Sequence, residues 1–243
     1  MALRMIFFFI AFVRLTSAFS YQTALRSVLD PNSLLTKSEE NMKFVKAAMD
    51  VVRKKKCNLN ICFAVDGSGY MHGKDFKMQL DFINLVAGIV SLDPTSRYAA
   101  VQYGRRSSVI SRLTRDTKSF LLNVKGTVQQ CSSRTFVARG ISRCARQLRR
   151  AKRGAKKIVV LGDGRSRFQT YGPPRDPVSV SQAFLSDPSH GICAVGVNFR
   201  DTSMLEQITG DASKVFMVSD WESVLDALDA LVVQVCGAES AAL

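Results

Sequence analysis

The sequence predicts an α/β protein, a doubly wound and mostly parallel central sheet with helices on both faces. Three observations point to it. From Asn58 onward, short apolar runs alternate with segments of helical period. Runs such as 158–161 and 192–197 are rich in β-branched residues and continuous, as strands buried on both faces are. Repeated strand–helix alternation builds a parallel sheet covered on both sides.

The elements follow in order. LNICFAV reads as a strand and DFKMQLDFINLVAGIV as a helix. YAAVQYG and SSVISRL are strands joined by a turn at Gly104 and Arg105. SFLLNVKGTV and FVARGISRCARQLRRAK read as helices, KKIVVLGDG as a strand and PVSVSQAFLS as a helix. GICAVGVN is a strand, TSMLEQITG a helix, VFMV a strand and WESVLDALDALVVQV the closing helix. In such sheets ligands sit beyond the carboxyl ends of the strands, where the strand order reverses. Asp66 and Asp163 both fall at strand ends of that kind.

A chain of 243 residues, 47% hydrophobic and 22% charged, has room for one well-buried domain of about 180 residues with appendages. Residues 1–18 read as a signal peptide: Arg4 precedes an apolar run over 5–13, and Thr16 and Ala18 form a small-residue cleavage pattern. That run is too short to span a bilayer, and Arg14 interrupts it. Residues 19–56 read as a leader with a short helix ending in a solvated basic run, 57–237 as the domain and 238–243 as a tail. Secretion is the expectation. The element TSAF suits the alternative of a secretory-derived compartment such as a complex plastid. No Asn-x-Ser/Thr acceptor occurs.

Three pieces carry the chemistry: DGSGY after the first strand, SRTFVARGI at the start of a helix, and VVLGDG closing a central strand. Taken alone, without Ser68 and Thr135, Asp66 and Asp163 read as caps of the helices that follow them. The three pieces together, in this order, resemble the von Willebrand factor type A domain over 57–237. The resemblance implies a metal-ion-dependent adhesion site of Asp66, Ser68, Thr135 and Asp163. Tyr70 takes a position the family usually gives to a second serine. Neutral hydroxyls with carboxylates suit Mg²⁺ or Mn²⁺, which prefer oxygen ligands, and leave the ion able to accept a carboxylate from a partner. A phenol oxygen lies about 4 Å farther from its Cα than a serine Oγ, so Tyr70 cannot take the serine's place. Affinity for the metal is then expected to be weak or lost.

Six cysteines on a secretory route permit disulfides. The resemblance puts the chain ends close together and implies a Cys57–Cys236 bond. Cys62 and Cys193 fall inside buried strands and read as apolar free thiols. Cys131 and Cys144 either pair or stay unpaired, Cys144 lying on the apolar helix face with Ile141 and Leu148.

The net charge of +14 points to an acidic partner. Between Arg139 and Lys157 there are nine basic residues and no acid, and Arg139, Arg143, Arg146, Arg150 and Arg153 recur at helical spacing. They read as one stripe that grips a sulfated or carboxylated polymer through bidentate guanidinium contacts. Secretion makes an extracellular protein or polysaccharide the expected partner, and nucleic acid is not expected. Catalysis is not expected either. LGDGRSR has Arg167 where a dinucleotide loop needs its third glycine, no Walker motif occurs, and His72 and His190 are the only histidines.

Overall fold

The computed structural model describes residues 39–163, 176–198 and 201–237. The expected signal segment 1–18, the first half of the leader and the tail 238–243 lie outside these residues. Six strands form one sheet: β1 (Leu59–Asp66), β2 (Arg97–Tyr103), β3 (Ser107–Thr114), β4 (Ala155–Asp163), β5 (His190–Val197) and β6 (Val215–Val218). Their order is β3-β2-β1-β4-β5-β6. β3 runs antiparallel to β2, and the other neighbouring pairs are parallel. The chain winds outward from β1 in one direction and from β4 in the other. The switch in order therefore lies between the carboxyl ends of β1 and β4, the place where doubly wound sheets have their ligand crevice.

The period of two along β1 divides the core. Ile61, Phe63 and Val65 face the layer made by α1 (Glu39–Lys55), α2 (Gly73–Val90), α3 (Thr117–Lys125) and α7 (Leu228–Val235). Cys62 and Ala64 face α4 (Val137–Leu148), α5 (Pro177–Leu185) and α6 (Ser203–Thr209). α2 is buried almost all round because α1, α3 and α7 pack about it.

Helix α1 belongs to the domain, although its sequence reads as a leader. Val45, Ala48, Met49 and Val52 form a narrow apolar stripe buried to 1% exposure or less, packed against α7. The stripe is too thin for its periodicity to announce a core helix among so many lysines. The basic run that follows, Arg53 to Lys56, is exposed as expected.

Helix α4 is shorter than its sequence predicts and stops at Leu148. The chain must turn there to enter β4, and Gly154 permits it with φ +87°. A Cβ at Gly154 would stand 2.5 Å from the Asn58 carbonyl oxygen. The Asn60 side chain pins the turn by donating to the carbonyls of Arg153 (2.8 Å) and Ala155 (3.3 Å).

The Cys57–Cys236 disulfide is present, with Cα atoms 4.6 Å apart, and it ties the entry to β1 to the end of α7. Cys62 corrects the sequence reading: it is bonded to Cys144, Cα to Cα 5.5 Å. The parity of β1 turns Cys62 toward α4, whose buried face carries Cys144. Cys193 is free and buried, as expected, and Cys131 is free and exposed.

Candidate functional site

At the crevice, β1 ends in a loop tied on several sides. The Asp66 carboxylate accepts from Ser68 N at 2.8 Å through Oδ1. Buried Gln79 on α2 accepts from Asp66 N (3.3 Å) and donates to Asp66 O (3.1 Å), which fixes the peptide planes around this aspartate. Gly67 N donates to Tyr103 O at 2.8 Å, joining the loop to β2.

The segment between α3 and α4 lies against this loop. Ser68 and Ser132 form a β-bridge, and Gly69 N donates to Ser132 O at 2.8 Å. The approach is close at Gly69: a Cβ there would lie 3.1 Å from the Cys131 carbonyl oxygen and push the two loops apart by a few tenths of an ångström. Gln129 Nε2 donates to the carbonyls of Ser68 (2.7 Å) and Met71 (2.9 Å). Gln102 accepts from Gln130 N and donates to Val128 O. These glutamines carry Thr135 to the same end of the sheet as Ser68. Sequence reasoning passes over them because a glutamine carries no motif. The signal that was available is a polar residue, Gln79, inside the apolar run of α2.

Asp66, Ser68 and Thr135 are each wholly buried. Ser68 Oγ and Thr135 Oγ1 have no hydrogen-bond partner among the described residues. A buried polar atom left unpaired costs about 1–3 kcal/mol, so two of them at one end of the sheet call for a ligand. Asp66 is not a helix cap: α2 begins at Gly73, with His72 in the cap position. Asp163 ends β4, in register with Val197 of β5, and its side chain lies outside the described residues. Tyr70 is 45% exposed and donates from its phenol to Ser133 O at 3.1 Å. It bridges the two loops at the surface. Among the described residues no three His, Cys, Asp or Glu side chains gather where they could hold a metal.

The basic stripe is divided. Arg139 donates through Nη1 to Arg105 O (2.6 Å) and lies over the Phe136 ring, 5.1 Å from its centroid. Arg143 donates to Ser107 O (3.2 Å) and Ser107 Oγ (3.4 Å). Both hold the β2–β3 hairpin against α4. Arg146 is exposed, whereas Arg150 and Arg153 stand beyond the helix end, so the five do not share one helical face.

A doubly wound sheet with an oxygen-donor crevice at its switch point defines an α/β domain suited to a hard cation. The family model of the von Willebrand factor type A domain matches residues 60–230, and the chain belongs to that family. Its relatives include the mouse (Mus musculus) collagen alpha-6(VI) and alpha-4(VI) chains, each 25% identical over 74% of this chain. The chain spans only 8% of the length of either collagen. Among solved structures, proximal thread matrix protein 1 of the mussel byssus, in a form with a zinc-occupied MIDAS motif, matches with a TM-score of 0.63. It is 17% identical, over 73% of this chain and 48% of that one. The SpRpn10 VWA domain matches with a TM-score of 0.53 and 15% identity, over 69% of this chain and 93% of that one. At such identities the solved structures speak for the fold alone.

Proposed function

We propose that the chain is a secreted, non-catalytic adhesion module that holds Mg²⁺ or Mn²⁺ through Asp66, Ser68, Thr135 and Asp163. Through that ion it binds a carboxylate of an extracellular protein or acidic glycan. The observation that carries this reading is the pair of buried, unpartnered hydroxyls, Ser68 Oγ and Thr135 Oγ1. Hydroxyl and carboxylate oxygens are the donors hard divalent cations take. The zinc-occupied motif of the mussel protein and the collagen VI relatives support the same reading.

A bound ion would supply an electrophilic centre for an incoming carboxylate. The chain's own residues prepare the place: Ser68 N orients the Asp66 carboxylate, and Gln79 and Gln129 hold the loop in shape. His72 is exposed in the loop before α2, and His190 opens β5 at the opposite end of the sheet.

The test is calorimetric titration with Mg²⁺ and Mn²⁺, with and without a carboxylate ligand. Weak saturable binding is expected, abolished by Asp66→Ala and tightened roughly three- to tenfold by Tyr70→Ser, which restores a hydroxyl. Tyr70→Phe should leave affinity as it is. One observation favours a second reading, a metal-free scaffold in a secretory-derived compartment: the Tyr70–Ser133 bond already ties the two loops without an ion. Heats indistinguishable from dilution for both ions, in the parent and in Tyr70→Ser, would establish that second reading.

A further inference from the structure

At the other end of the sheet, an open basin of about 600 Å³ lies between the start of β5, the end of α1 and the Cys57–Cys236 disulfide. Four lysines line it: Lys55 at the end of α1, Lys56 just after it, Lys157 on β4, and Lys214 before β6. They come from three distant parts of the sequence, so this is a convergence made by the fold and not a local charge run. No acidic side chain lines the basin among the described residues. Asp211 lies 3.4 Å from Lys214 and partly offsets its charge. The Cys57–Cys236 disulfide fixes one wall of the basin. Their field reaches inward. Burial pushes the Cys193 thiol up to about 12, and Lys157 and Lys214 act against that rise.

His190 lines this basin and also a second groove of about 370 Å³ between α4 and α5. There Arg146, Arg149 and Lys156 stand with a single carboxylate, Asp187. Two positive depressions that meet at one residue suit an elongated ligand better than a small ion, and clefts of one sign focus potential onto such a ligand.

We infer that this end of the domain is a second binding surface, independent of the cation crevice, that takes a sulfated linear polysaccharide along the Lys55/Lys56/Lys157/Lys214 basin and the Arg146/Arg149/Lys156 groove. Sulfates meet lysines as point charges and arginines as bidentate partners. Single-stranded nucleic acid gains from stacking on aromatic rings. No aromatic side chain other than histidine lines the basin among the described residues, and the ring of His190 is stacked on Phe184, centroids 4.4 Å apart. Among the described residues, the exposed large apolar ones, Tyr70, Leu122, Val128 and Met217, line neither depression, which disfavours insertion into a lipid surface.

The experiment measures retention of the full chain on immobilised dextran sulfate in a salt gradient containing EDTA, which removes any contribution of the cation crevice. The comparison is K55Q/K56Q/K214Q against a control, R112Q/R115Q/K118Q, which removes the same charge from exposed positions around the end of β3. The basin variant should lose at least about tenfold in affinity, with the salt slope falling by about one per lysine removed. The control should stay within about twofold of the parent, and K55R/K56R/K214R should retain binding. Equal losses in both glutamine variants would reduce the effect to net charge and overturn the proposal. So would tighter binding, at matched salt, to single-stranded polynucleotide or to phosphatidylserine vesicles. Circular dichroism of each variant confirms that a loss is not unfolding.

Discussion

The two ends of this sheet are built on opposite physical terms. At the carboxyl ends of β1 and β4, Asp66, Ser68 and Thr135 are wholly buried and their loops are locked by amide hydrogen bonds. At the amino ends the functional groups are exposed or half-exposed lysines and arginines around a disulfide. A desolvated site selects by geometry, because a donor that misses its ligand loses a costly interaction. A wet, one-signed surface selects weakly by shape and strongly by charge, and salt tunes it. On the two proposals above, one fold offers a narrow, cation-dependent contact at one end and a broad electrostatic one at the other.

The sharpest way to break the comparison is at the Cys57–Cys236 bond, which closes a loop of 179 residues beneath the basic basin. In the chain-entropy account a loop of this length is worth about 5 kcal/mol at most, with typical bonds nearer 2–4 kcal/mol. Cys57→Ser with Cys236→Ser should lower unfolding free energy by a value in that range in a denaturant titration. The crevice at the far end should keep its metal response while the protein remains folded. Parallel loss at both ends well below the unfolding midpoint would show that the ends are coupled.

A smaller effect, of opposite sign, is expected at the crevice. Thr135→Val removes a buried hydroxyl that has no partner among the described residues, and Ser68→Ala does the same. Replacing an unpaired polar atom by an apolar group of similar shape is neutral to stabilising, here by about 1 kcal/mol for each substitution. In EDTA both variants should melt at or above the parent's temperature. With Mg²⁺ or Mn²⁺ present, the parent should gain stability from ligand binding and the variants should not. If both variants are destabilised in EDTA, the hydroxyls are serving the fold and not a ligand.

What the sequence disclosed follows the same division. The carboxyl end was legible because its residues sit in contiguous motifs: DGSGY and the start of SRTFVARGI place Asp66, Ser68 and Thr135 without any knowledge of packing. The strands were legible because burial on both faces writes continuous apolar runs. The basin was not, since Lys55, Lys157 and Lys214 meet only after the sheet order and the disulfide are in place. The arginine stripe misled for a related reason. Helical spacing continues through Arg150 and Arg153 in the sequence, but the helix ends at Leu148, ahead of both, and they fall in the turn into β4 that Gly154 and Asn60 hold. The Cys62–Cys144 bond was hidden because strand parity tells that Cys62 faces one layer and not which helix covers it.

The smallest expected effect concerns Asp93, which holds the entry to β1 beside the basin. Desolvation would raise its pKa. Hydrogen bonds from Asn58 N (2.8 Å), Thr95 Oγ1 (2.7 Å) and Thr95 N (2.9 Å), with the charge of Lys56, outweigh it, and the carboxyl ends below its ordinary range. The folded state thus binds this proton less readily than the unfolded chain does. Stability from Asp93 is then complete above about pH 5, and it is lost as the pH falls through the depressed folded-state value. Asp93→Asn keeps an acceptor for the Asn58 amide but removes the charge, so it should cost less than about 1 kcal/mol at neutral pH. The gap between parent and variant should close in acid. Melting curves from pH 7 to pH 2.5 test this: a gap of constant size would mean that Asp93 acts through packing alone. Because removal of its charge also raises the net positive potential next to Lys56, the same variant should bind dextran sulfate slightly more tightly at low salt. That places a stability residue and a binding surface on one electrostatic axis at the amino end, with no counterpart expected at the crevice.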